Sequence, residues 1–166
     1  MSGNIGAQLG IGLCIGVFLI AGHVFGMLAA EWSMDVLDFH PECIWENWYD
    51  FVNGDFSEAL NGASWAGLVM ACLLIAALFV GSRVGTPGMI AFYVILCIYV
   101  VTYLAWAVLL MYIMLFFSYI YFEETRLVHT CGGLDEVRNI WWICLAAICQ
   151  SLPAAIGGCL YACYAS

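Results

Sequence analysis

The sequence contains no lysine, and its three arginines stand against twelve acidic residues. Charged residues fill 9% of the 166 positions, whereas a soluble surface needs roughly a quarter to a third. With 66% apolar residues and a mean hydropathy of +1.01, the chain has too little polar surface to enclose a core in water. A soluble enzyme is excluded. There is no basic cluster to meet phosphate, so nucleic acid is not an expected partner. C-x-x-C is missing, which removes the closely spaced thiol pair that a membrane thiol oxidase needs. No N-x-S/T sequon occurs, so the exposed loops are expected to lack N-linked glycan.

What the chain has in abundance is long apolar runs. Four exceed about 18 residues, enough to cross the hydrocarbon layer: 5–30, 63–81, 89–122 and 140–164. The expected fold is therefore an all-α membrane protein, a single domain of four transmembrane helices. The first run has no basic segment before it and is too long for a signal peptide, so it reads as a retained helix. Gly81, Ser82, Arg83, Gly85, Pro87 and Gly88 punctuate a tight hairpin between the second and third runs. The third run would reach roughly 51 Å as a helix, well beyond a hydrocarbon layer about 30 Å thick. Its end carries Phe116, Phe117, Tyr119, Tyr121 and Phe122, an interfacial aromatic belt matched by Trp141 and Trp142 on the fourth run.

Four spans put both termini on the side of the Arg83 hairpin. The acidic segments 31–62 and 123–139 share the other side. Eight acids lie between Glu31 and Glu58 without a base, and Glu123, Glu124, Asp135 and Glu136 accompany Arg126 and Arg138. The positive-inside count of one arginine against two decides little. The expectation of cytosolic termini rests on the large loops, each with one cysteine, lying on the oxidising side. The membrane is the plasma membrane or that of an organelle or vesicle. The tails and one hairpin leave too little chain on the cytosolic side for a nucleotide-binding or scaffold domain.

Three GxxxG spacings mark the first span: Gly6/Gly10, Gly12/Gly16 and Gly22/Gly26. At 100° per residue the last two pairs share one face, and Gly6 and Gly10 point away from it. In lipid, small residues let helix backbones approach, and that packing replaces the hydrophobic effect. Either the glycines serve this chain's own bundle, or the second face meets another copy. His23 falls near Gly16 on the wheel and is expected to face protein, hydrogen-bonded across to a residue such as Thr102 or Ser64. No span holds a carboxylate, a metal-ligand cluster or a nucleophile–base pair. The chain accordingly reads as non-enzymatic, without metal or cofactor. A lone span histidine also lacks the second axial ligand that a b-type haem usually takes.

Cys43 and Cys131 are the only cysteines in the acidic loops, one in each. In an oxidising compartment a disulfide between them is the economical inference. The other seven lie in spans, where cysteine acts as a small hydrophobe. In the first loop Asp35, Asp38, Glu42 and Glu46 step by three, four and four, one side of a helix that Pro41 interrupts. Two short helices around Pro41 are expected. These carboxylates would attract cations without forming an EF-hand order. Trp32, Trp45, Trp48 and Tyr49 give the loop too much aromatic area to stay disordered in water, and such side chains anchor protein contacts.

The four-span layout resembles that of tetraspan proteins such as claudins and large-pore channel subunits. The claudin motif W-x-G-L-W-C-x-x-C is missing around Cys43-Ile44-Trp45, so no family's residues are carried over. The expected function is a tetraspan that assembles with itself or another membrane protein, through its glycine-rich first helix and acidic aromatic loop. The competing expectation is a channel or channel-auxiliary subunit with an acidic, cation-attracting vestibule.

Overall fold

A computed structural model describes residues 5–39, 55–123 and 134–165, and these are helical apart from Gly85. Four helices follow one another: α1 (Ile5–Phe39), α2 (Asp55–Val84), α3 (Thr86–Glu123) and α4 (Leu134–Ala165). All four are long and apolar enough to cross a membrane. Only 17% to 28% of each spanning window is buried inside the protein, so most of the apolar surface points outward. That is the arrangement for a lipid solvent, and the chain is a multi-pass membrane protein. Around the bundle α1 packs against α2 and α4, and α3 packs against the same two.

Each helix runs past the end of its hydropathic run at the loop side. Hydropathy ends at the first charge, but helical backbone does not, because acids cost little in a helix. α1 continues through Glu31 and Asp35 to Phe39. It thus takes Trp32, Asp35 and Asp38 out of the expected loop and replaces a short helix before Pro41 with an extension of the span. α2 begins at Asp55, and its first turn carries Asp55 and Glu58, where the positive end of the helix dipole favours them. α4 begins six residues before the apolar run, at Leu134. Its exposed Asp135 and Arg138 pair at 2.7 Å, a surface contact of small energetic weight. At 38 residues α3 is roughly 57 Å long. The helices thus run on past their apolar stretches at the acidic end, where Glu31, Asp35, Asp55, Glu58 and Asp135 are exposed.

At the opposite end the hairpin is tighter than the polar residues around it imply. Gly85 alone separates α2 from α3, with φ +77°. Its N–H donates to the Gly81 carbonyl at 3.3 Å and its own carbonyl accepts from Met89 N–H, a left-handed helix cap. Pro87 sits in the first turn of α3, where its missing N–H is not needed. The turn brings Gly88 against Gly81. A Cβ on Gly88 would lie 2.7 Å from the Gly81 Cα, and a backbone atom cannot swing aside. Gly88→Ala should therefore cost about 1–3 kcal/mol, read as a lowered thermal midpoint in lipid nanodiscs. Gly62→Ala, which meets nothing within 4 Å, should leave that midpoint unchanged or raised.

Candidate functional site

The middle of the bundle holds a layer of polar and aromatic side chains drawn from every helix. α3 supplies Tyr99, Tyr103 and Trp106, spaced four and three apart and so on one face. α1 supplies His23, α2 Ser64 and α4 Ser151, each fully buried. Tyr99 Oη lies 3.0 Å from His23 Nε2. Tyr103 Oη lies 2.9 Å from Ser151 Oγ. Trp106 Nε1 donates to Ser64 Oγ at 2.8 Å. One helix thereby ties itself to the other three. Nearer the acidic end Ser33 and Ser57 join α1 to α2 at 2.7 Å, and Ser33 also donates to the Ala30 carbonyl.

His23 is enclosed by the three aromatic rings, with Trp106 nearest at a centroid distance of 4.6 Å and Tyr99 edge-on at 5.9 Å. Its remaining side is closed by Gly67 of α2. A Cβ there would overlap Cε1 of the imidazole and lie 2.6 Å from both ring nitrogens, so only glycine leaves room for the ring. Nδ1 is the one buried side-chain polar atom without a partner among the described residues. A neutral imidazole has one N–H, so with Nε2 engaged by a hydroxyl, either the Nδ1 lone pair or its proton goes unused.

Interhelical hydrogen bonds of this kind contribute about 0.6 kcal/mol each, up to about 1.7. Their larger effect is on register. Sliding one helix by a turn would leave several polar groups facing hydrocarbon at several kcal/mol apiece. The hydroxyls of Tyr99, Tyr103, Ser64 and Ser151 are engaged in bonds between helices, and no carboxylate lies among these residues.

The candidate residues from the sequence separate into distinct groups here. His23 faces protein as expected, but its partner is Tyr99. Ser64 is taken by Trp106, and Thr102 bonds back to the Ile98 carbonyl of its own helix. Four of the glycines lie inside this chain's own bundle. Gly12 meets Leu78 and Gly16 meets Ile75 on α2; Gly22 meets Ser151 on α4; Gly26 meets Trp106 and Ser64. Gly10 is exposed, with open space where a Cβ would be. Trp32 and Asp35 are exposed on the projecting end of α1. Cys43, Cys131, Glu42, Glu46, Trp45, Trp48 and Tyr49 lie outside the described residues, as do the surroundings of Gly6 and the side chain of Asp38. Gly67, Tyr99, Tyr103 and Trp106 were not singled out by composition or motif. The signal available was the 99/103/106 spacing, which sets three polar-tipped aromatics on one face of the third run.

Below this layer, towards the hairpin, lies an apolar cleft of about 340 Å³. All four helices line it, and Tyr99 and Tyr103 form its inner end. The α3–α4 interface is the sparsest of the four. Small residues on α4, Ala154, Ala155 and Gly158, leave the space beside it open, and Pro153 occupies the helix just before them.

Fold and site together define a four-helix, multi-pass integral membrane protein knitted at its midplane by a buried polar layer. No family model, curated protein or solved structure matches the chain.

Proposed function

We propose that the chain is a non-enzymatic building unit of a membrane assembly, joined to copies of itself or to another membrane protein. The observation that carries this reading is the projecting acidic end. There, α1 continues past its apolar run and holds Glu31, Trp32 and Asp35 as exposed side chains on helical backbone. An aromatic anchored on a rigid element and ringed by charge is how protein contact surfaces are built. The midplane layer supports the same reading, since its polar groups are spent on holding helices together.

In this reading the acidic loops contribute the rest of the contact through Trp45, Trp48 and Tyr49, and a Cys43–Cys131 disulfide ties the two loops. The termini and the Gly85 hairpin face the cytosol. Gly10, with open space before it, belongs to the second glycine face that a neighbouring copy would meet. The acids exposed at one end also favour a second reading, an auxiliary or channel subunit that concentrates cations there.

Particle mass and projected shape in lipid nanodiscs test the proposal. Rings, sheets or defined oligomers are expected, and Trp32→Ala should weaken their association about tenfold, equivalent to about 1.4 kcal/mol. A strictly monomeric particle at every protein-to-lipid ratio would overturn it. Ion flux through the assembled form, lost on neutralising Asp35 and Asp38, would favour the second reading.

A further inference from the structure

We propose that the cleft between α3 and α4 binds one acyl chain of a membrane glycerolipid from the leaflet on the hairpin side. Exposed residues at its edge come only from α3 and α4: Leu104, Leu152, Ile156, Cys159 and Leu160. These side chains already face the lipid, so the mouth opens sideways into the hydrocarbon. What lies outside the mouth is chain, not water. Among the lining side chains only Tyr99, Tyr103 and Cys159 carry a polar atom. The tyrosine hydroxyls are engaged with His23 and Ser151. A headgroup would find nothing to satisfy it there, whereas a hydrocarbon tail loses nothing on entering.

The dimensions favour a tail lying along the helices. On α3 the lining runs from Phe92 to Leu104, roughly 18 Å at 1.5 Å per residue. One leaflet contributes about half of a hydrocarbon layer about 30 Å thick. A chain lying along the cleft with its end at the Tyr99–Tyr103 level would leave its headgroup at the hairpin-side interface. Its volume, about 340 Å³, is of ligand-site size, which starts near ~300 Å³. Left unfilled, such a space would forfeit the dispersion contacts that hold helices together in lipid. The site does not depend on the assembly proposed above.

The test uses the full chain in dioleoylphosphatidylcholine nanodiscs doped with a phosphatidylcholine bearing a diazirine on one acyl chain. After illumination, adducts are mapped by mass spectrometry. Lipid around the outside reaches exposed positions such as Val69 and Val108. Only a chain inside the cleft reaches Leu19, which is 3% exposed, and the half-buried Ile75 lines the wall that α2 contributes. Adducts at Leu19 and Ile75 are expected, and Ala155→Phe should lower them about tenfold relative to those at Val69 and Val108. If Ala155→Phe fails to fold, Leu152→Trp narrows the mouth from an exposed position and should do the same. Adducts confined to outward-facing residues would overturn the site. So would inner adducts indifferent to either substitution.

Discussion

Gly67→Ala should destabilise the bundle by about 3 kcal/mol, the upper end of what an added methyl costs in a packed interior. The added Cβ would overlap the imidazole of His23. That ring has no direction in which to retreat, since Tyr99, Tyr103 and Trp106 occupy its other sides. Relief therefore requires α1 and α2 to separate, which strains the contacts of Gly12, Gly16 and Gly26 along the same interface. The measurement is the unfolding equilibrium in mild mixed micelles, compared with Gly62→Ala on the exposed face of the same helix. The double variant His23→Ala/Gly67→Ala supplies the decisive control. If the clash is the cause, it should be more stable than the sum of the single changes implies, by a coupling of roughly 1–3 kcal/mol. Strict additivity would mean that the glycine matters for some reason other than the imidazole.

Trp106→Ala should be the most damaging truncation on α3. Trp106 is the largest fully buried side chain among the described residues, its ring packs on His23, and its Nε1 donates to Ser64. In water such a truncation costs about 3–5 kcal/mol. The unfolded reference here is a set of helices already in lipid, so the transfer part largely cancels and the cavity part remains. The lower end, about 3 kcal/mol, is the expected value. Trp106→Phe separates packing from hydrogen bonding. It keeps most of the ring and loses the bond to Ser64, for an expected cost of about 1–2 kcal/mol. Should Phe prove as costly as Ala, the Ser64 hydrogen bond, and not the volume, would be what holds α3 to α2.

Much of the architecture was legible along the chain. The four spans, the hairpin at Arg83 and the gathering of acids at one end follow from hydropathy and charge order, because each is a property of residues taken in sequence. The inward orientation of His23 and the shared face of Gly12, Gly16, Gly22 and Gly26 were legible as well, since 100° per residue places side chains on a helix without knowledge of its neighbours. Helix ends were less so. Hydropathy marks where lipid stops, and α1 passes that point by nine residues as far as Phe39, carrying Trp32 and Asp35 with it.

Partnership was not legible. His23 had Thr102 and Ser64 as plausible acceptors of comparable reach, and the bundle gives it Tyr99, with Ser64 assigned to Trp106. Gly67 lies in no GxxxG spacing with another glycine, yet it is the glycine on which the imidazole rests.

The sequence by itself determined that this protein is a multi-pass membrane protein of four long apolar helices, because transfer into hydrocarbon is settled residue by residue. Only the tertiary structure decided which helices touch, which hydroxyl meets which ring, and where a cleft stays open to lipid. Once every helix is equally at home in hydrocarbon, pairwise packing and hydrogen-bond register alone distinguish one arrangement from another.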